Sequence, residues 1–146
     1  MLEIKPAQRD DLSEIEHLIE LASLPRDGLE AQFPQAYVVA WRNERVVGVA
    51  GLELHDRLAL LRSVAVDPAA CAQGVGRALV ADRLNAARRA GVQAVYLLTT
   101  TAEAYFERFG FQPASRAEVS AELATTPEFT GACPASAACL ALNLQR

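Results

Sequence analysis

The sequence predicts an α/β fold, with one mixed sheet, a parallel strand pair near its centre, and helices on its flanks. Three observations lead there. An apolar strand from Ala59 to Val66 stops at the turn Asp67-Pro68 and is followed by a helix that opens on Gly74 and Gly76. The next strand, Ala94–Leu98, follows that helix with no room for a hairpin, so the two strands lie parallel. Before them, two strands are joined by a short hairpin connection, which makes that part of the sheet antiparallel.

Taken in order, Leu2-Glu3-Ile4-Lys5 alternates and predicts a short first strand. Asp10 or Asp11 caps a helix whose apolar face is carried by Leu12, Ile15, His17-Leu18-Ile19 and Ala22, up to Leu24-Pro25. Asp27–Phe33 predicts a second short helix, stopped before Pro34. Tyr37–Trp41 and Val46–Leu54 are strands joined through Arg42-Asn43-Glu44-Arg45, and His55-Asp56-Arg57 turns the chain into the central strand. In the following helix Gly76, Val80, Leu84 and Ala87 form one stripe flanked by Leu79, with Ala90-Gly91 as the stop. After Ala94–Leu98, Thr99-Thr100-Thr101 leads to a helix over Ala102–Phe109 that Gly110 ends. Phe111-Gln112-Pro113 begins the next strand and Ala138–Leu144 is the last; Arg116–Ser136 between them is polar, mixed and partly helical.

Length and composition bound the function. The 146 residues suit a single domain, residues 1–146, with one core. Hydrophobic residues make up 51% and charged ones 22%, which argues against disorder. The formal charge is −4 without a basic cluster, so nucleic-acid binding has no electrostatic support. No apolar run approaches the roughly 20 residues of a membrane span, and the N-terminus does not read as a signal peptide. Cys71, Cys133 and Cys139 lack zinc-type spacing and read as thiols of a reducing cytoplasm, with no metal site expected. A monomer or a homodimer fits equally well.

A helix that opens on glycines turns free backbone N–H groups, and the positive end of its dipole, toward whatever lies in front. Without Cβ atoms at Gly74 and Gly76, a phosphate can approach those groups closely; otherwise the glycines shape a tight strand-to-helix connection. A P-loop needs Gly-Lys-Ser/Thr, whereas Arg77-Ala78 follows Gly76. The dinucleotide fingerprint needs a third glycine where Leu79 stands. The segment Cys71–Gly76 resembles the Gln/Arg-x-x-Gly-x-Gly/Ala loop of the GNAT acyltransferase superfamily, with Cys71 at a place usually held by Arg or Gln. A second segment, Ala102-x-x-Tyr105-Phe106-Glu107-Arg108-Phe109-Gly110-Phe111, resembles that family's Ala-x-x-aromatic-aromatic-Glu-Lys/Arg-x-Gly-Phe motif. The order of elements is similar along essentially the whole chain.

The resemblance implies the GNAT acyl-CoA N-acyltransferase fold and acetyl-CoA as acetyl donor. It implies that the parallel pair splays apart and that Val64, Ala65 and Val66 hold the pantetheine arm by their backbone, an N–H near Val64 polarising the thioester carbonyl. It implies a pyrophosphate on Gln73, Gly74, Val75, Gly76, Arg77 and Ala78, with Thr101 and Phe106 as further cofactor contacts. Many members carry a tyrosine acid where Phe106 stands; Tyr105, about 100° away around the helix, is expected to pack. Glu53 is either the base that deprotonates the amine or a solvent-facing strand-end residue, and Ser63 is the second catalytic candidate. Arg62 and Ser63 are expected on opposite sides of the strand, with Arg62 binding a substrate carboxylate or pairing with a neighbouring acid. His17 and His55 read as surface or capping residues.

Thr125–Phe129, Cys133–Ala137, Leu60–Val66 and Leu97–Ala102 resemble the small GNAT enzymes of arsenic-resistance operons, which are in turn similar to short amino-acid N-acetyltransferases of the N-acetylglutamate synthase type. That implies a small amine acceptor, amino-acid-like or an amine-bearing arsenical, with Arg62, Cys133 and Ser136 near it. Cys133 and Cys139 are either soft ligands for trivalent arsenic or small buried hydrophobes. The expected activity is N-acetyl transfer by direct attack in a ternary complex; a catalytically weak acyl-CoA-binding sensor or scaffold is the alternative.

Overall fold

The computed structural model describes residues 2–24, 29, 33–70, 73–100, 102–115 and 137–144. Strand β1 (Leu2–Pro6) leads through a 3-10 turn at Arg9–Asp11 into helix α1 (Leu12–Leu21). Strands β2 (Tyr37–Arg42), β3 (Arg45–His55) and β4 (Leu58–Val66) follow, then helix α2 (Val75–Arg89) and strand β5 (Ala94–Thr99). Helix α3 (Glu103–Glu107) and strands β6 (Gln112–Pro113) and β7 (Ala138–Asn143) come last. The expected helix over residues 27–33 falls mostly outside the described residues, although Leu29 is helical and buried. Arg116–Ser136 lies outside them altogether.

The sheet runs β1-β2-β3-β4-β5-β7-β6, antiparallel throughout except for the parallel pair β4–β5. The β2–β3 hairpin closes on Asn43 and Glu44, both left-handed, a two-residue turn whose twist matches that of the strands. The β3–β4 hairpin closes on Asp56-Arg57, with His55 opposite Leu58.

Helices cover both faces. On one, Ile15, Leu18 and Ile19 of α1 pack with Tyr37, Val39, Val49 and Ala65. On the other, α2 sets Val80, Leu84 and Ala87 against Leu52, Ala59, Leu61 and Val95, and Val75 and Leu79 against Val38, Ala40 and Val47. The buried line of α2 therefore passes through Val75 and Leu79, with Gly76 on its half-exposed flank rather than in the stripe that the sequence spacing suggested. Burying Leu79 and Leu84 contributes on the order of 1.5–3 kcal/mol each, more than the ~1 kcal/mol that a helical glycine costs. At the far end, Gly91 takes φ +79, its N–H donates to Arg88 O and that of Val92 to Ala87 O, the bonding pattern of a Schellman stop.

One expected cap is absent. Asp11 precedes α1, but its carboxylate accepts from Gln8 N–H at 2.8 Å and makes no cap bond to α1. The 3-10 turn between β1 and α1 draws that carboxylate back onto the turn's own start. Among the described residues, no helix is long and apolar enough to cross a membrane.

Candidate functional site

The parallel pair separates. Leu58, Ala59 and Leu60 of β4 pair with Ala94, Val95 and Tyr96, and the pairing stops there. Leu61–Val66 run on beside β3, while Leu97–Thr99 of β5 stay paired with β7. A gap therefore opens along β4 from Leu61 to Val66, with no strand of the described residues on its β5 side. Val64 and Val66 are half-buried and Ala65 is buried, so the first two pack toward α2 and the third toward α1.

The N-terminus of α2 stands at the end of β4. Asp67 N–H donates to Val47 O at 2.8 Å, and the Asp67 carboxylate accepts from Ala69 N–H at 2.9 Å, which fixes the turn after the strand. Gly74 is the N-cap at φ +81, and no side chain caps the helix. A Cβ built on Gly74 would meet no heavy atom of the described residues within 4 Å, so none of them crowds this side of the helix opening against an anion. The ground for Gly76 is different. A Cβ there would stand 2.6 Å from Tyr105 Oη, so the glycine admits a ring reaching over from α3. Tyr105 packs edge-on against Phe106 and Phe109, as expected of a packing residue, while its hydroxyl end closes on α2. Gln73 and Arg77 are exposed, Ala78 is half-buried, and Val75 is buried against β2 and β3. Arg42, at the end of β2, donates through Nη1 to Gln73 Oε1 and brings a cation beside the helix opening. Open N–H groups, a helix dipole and two nearby guanidinium groups suit a diphosphate.

Behind the gap lies a buried polar network. Val49 pairs with Ala65 and Gly51 with Arg62, so one residue of β3, Ala50, opposes two of β4, Ser63 and Val64. Ser63 sits at this bulge with φ +57. The extra residue breaks the alternation of faces, so Arg62 and Ser63 meet on the α1 side instead of facing opposite ways as the sequence suggested. Arg62 Nε donates to Ser63 Oγ at 3.1 Å, and Arg62 Nη1 to Glu53 Oε2 at 3.0 Å. Glu53 Oε1 lies 3.1 Å from His55 Nε2, and Ser63 Oγ lies 3.5 Å from Tyr37 Oη. Register explains the meeting. Tyr37 pairs with Gly51 and Gly51 with Arg62, one row across three strands, and the tyrosine ring lies over the glycine.

Glu53 is thus not a solvent-facing strand end, because it is 2% exposed. Of the two roles open to Arg62, the structure has the pairing with an acid, and its side chain is 0% exposed. A buried carboxylate and guanidinium must stay together, since removing one partner of such a pair typically costs about 3–5 kcal/mol. His55, 24% exposed, is the end of the network that water reaches.

Phe106 is buried in the core against Phe111 and Phe109. Cys139 is buried next to Leu60, and His17 is exposed. Thr101, Cys71, Cys133 and Ser136 lie outside the described residues. Sequence reasoning missed Arg42, Tyr37 and the pairing of His55. Only the last had a signal, the Glu53/His55 spacing of two that puts both on one face of a strand.

Comparison with known proteins agrees with this geometry. The family model described as acetyltransferase (GNAT) domain matches residues 34–113. A curated protein of Mycobacterium tuberculosis named amino-acid acetyltransferase is 34% identical over 108 residues, 73% of this chain and 58% of its own length. The crystal structure of N-acetylglutamate synthase from Neisseria gonorrhoeae, complexed with coenzyme A and N-acetyl-glutamate, superimposes with a TM-score of 0.86 at 24% identity, covering 100% of this chain and 36% of that one. Rv2747 from Mycobacterium tuberculosis, in complex with CoA and NLQ, gives a TM-score of 0.81 at 26% identity and covers 97% of this chain and 99% of its own. The chain thus spans little more than half of the curated relative and about a third of the gonococcal one.

Proposed function

The chain belongs to the GNAT acetyltransferase family, and from that membership we propose that it is an acetyl-CoA-dependent N-acetyltransferase acting on the amine of a small amino-acid-like acceptor by direct attack in a ternary complex. The observation that carries this reading is the gap between β4 and β5, which opens beside the uncapped N-terminus of α2. The names of the relatives support the acceptor class: one is an amino-acid acetyltransferase, and another was crystallised with coenzyme A and N-acetyl-glutamate. Bound here, acetyl-coenzyme A would supply an activated acetyl group as a thioester, which the amine attacks with departure of the thiolate.

In this reading the backbone of Gln73–Ala78 holds the diphosphate, and Arg42 and Arg77 add positive charge. Val64–Val66 line the arm, and the Val64 N–H polarises the acetyl carbonyl. Phe106 serves from the core as a wall, and Thr101, Cys133 and Ser136 remain candidates for contact. Of the two side chains expected in catalysis, Glu53 is carried forward as acceptor of the amine proton, with His55 as the way out to water, and Ser63 as a residue that shapes the backbone. The whole chain works as one domain in the cytoplasm, alone or as a homodimer.

The test is thiol release from acetyl-coenzyme A with a panel of amino acids and amine-bearing arsenicals. Release that needs both substrates is expected. Coenzyme binding without release toward any acceptor would replace the enzyme by a sensor or scaffold. Glu53→Gln should lower turnover roughly a hundredfold, the contribution of a positioned base, with coenzyme affinity unchanged by calorimetry. Turnover within twofold of wild type would remove Glu53 from the proton path.

A further inference from the structure

The bulge in β4 is held by side chains of this particular chain, and their geometry gives a role to a residue buried behind the gap. Ser63 occupies the left-handed region, at φ +57, which a residue with a side chain rarely adopts unless its surroundings impose it. Its hydroxyl accepts from Arg62 Nε at 3.1 Å and lies 3.5 Å from Tyr37 Oη. Arg62 is anchored on its other side, where Nη1 donates to Glu53 Oε2 at 3.0 Å, and Glu53 is in turn held by His55 at 3.1 Å. Because the guanidinium is planar, the direction of Nε is set once Nη1 is bound to Glu53. The grip on Ser63 is therefore fixed from behind.

We infer that Arg62 is a positioning residue for acetyl transfer: through Ser63 it keeps β4 in its bulged path, so that the Val64 N–H faces the gap between β4 and β5. This rests on the reading that the acetyl carbonyl lies in that gap. Successive N–H groups of a strand point to opposite edges, and a slip of one residue exchanges them. Straightening the bulge would remove the one extra residue between Arg62 and Ala65, and with it the placement of the Val64 N–H. The Arg62 side chain, 0% exposed, acts only through its neighbours.

Arg62→Lys separates positioning from charge pairing, because the lysine ammonium still pairs with Glu53 but has neither the Nε–H that reaches Ser63 nor the planar fork that fixes its direction. The expected result is a fall in turnover of tenfold or more, with KM for acetyl-coenzyme A within twofold and a normal unfolding transition. The Ser63 Cα and Cβ chemical shifts should move out of the left-handed range. Adding Ser63→Gly, which takes a positive φ without strain, should recover most of the lost turnover. The inference is overturned by unchanged Ser63 shifts in Arg62→Lys, by a change in KM with kcat intact, or by failure of the added glycine to rescue, which would make the hydroxyl itself the active group. If wild-type protein releases no thiol with any acceptor, the acetyltransfer reading fails; the Ser63 shifts in Arg62→Lys then still decide whether Arg62 holds the bulge.

Discussion

The opening of α2 and the network behind Ser63 adjoin the same strand, β4, yet they are built from different materials. The helix opening is backbone: Gly74 is left-handed, none of the described residues crowds the place a side chain there would take, and no side chain among them caps the helix. The network is side chain: Tyr37, Ser63, Arg62, Glu53 and His55 come from three strands and are linked one to the next by contacts of 3.0 to 3.5 Å. A backbone site needs little beyond the absence of obstruction, so its weak points are local and small. A buried charged network has no such tolerance, since each member leaves another unsatisfied when it goes.

The sharpest way to break the comparison is at its buried end. Arg62→Met should lower stability by about 3–5 kcal/mol in urea denaturation, because it strands the Glu53 carboxylate in the core. Replacing Glu53 by Leu in the same chain should return much of that, since an apolar pair of similar volume avoids the desolvation cost. A loss below ~1 kcal/mol in Arg62→Met would mean that Glu53 is satisfied without it.

The helix opening should respond less, and differently at its two glycines. Gly76→Ala places a methyl 2.6 Å from Tyr105 Oη, and overpacking of this kind costs about 1–3 kcal/mol. Tyr105→Phe removes that oxygen and should restore most of the thermal stability. An equal loss in the double variant would sink the idea that Gly76 is there for Tyr105. Gly74→Ala should cost least, about 1 kcal/mol, the strain of a left-handed alanine. The added methyl meets nothing among the described residues within 4 Å, so the loss should appear in the unfolding midpoint alone with no second unfolding step. A bulkier valine at 74 would mix the same strain with any obstruction of an anion, which makes alanine the cleaner probe.

The contrast also explains how legible each region is. The helix opening is a matter of neighbours in sequence: a strand, a turn at Asp67-Pro68, two glycines and an apolar stripe. Even there, sequence alone gave Gly74 and Gly76 one shared reason, whereas one is needed for its φ and the other for the approach of a ring from α3. Glu53 stood out as a carboxylate on an apolar strand, but its partners could not be named, and Arg62 and Ser63 were placed on opposite faces by a strict alternation that one extra residue defeats.

What the sequence determined by itself is the order of elements, the parallel placement of β4 and β5, and the glycine opening of α2. Each depends on local periodicity and on turn residues, which act over a few neighbours. What only the tertiary structure decided is which side chains share a row. The pairing of Tyr37 with Gly51 and of Gly51 with Arg62 brings together residues up to 26 positions apart. A one-residue change of register, such as the bulge at Ser63, turns side chains from one face of the sheet to the other. The chemistry beneath β4 is therefore a property of strand register, which exists only once the sheet has formed.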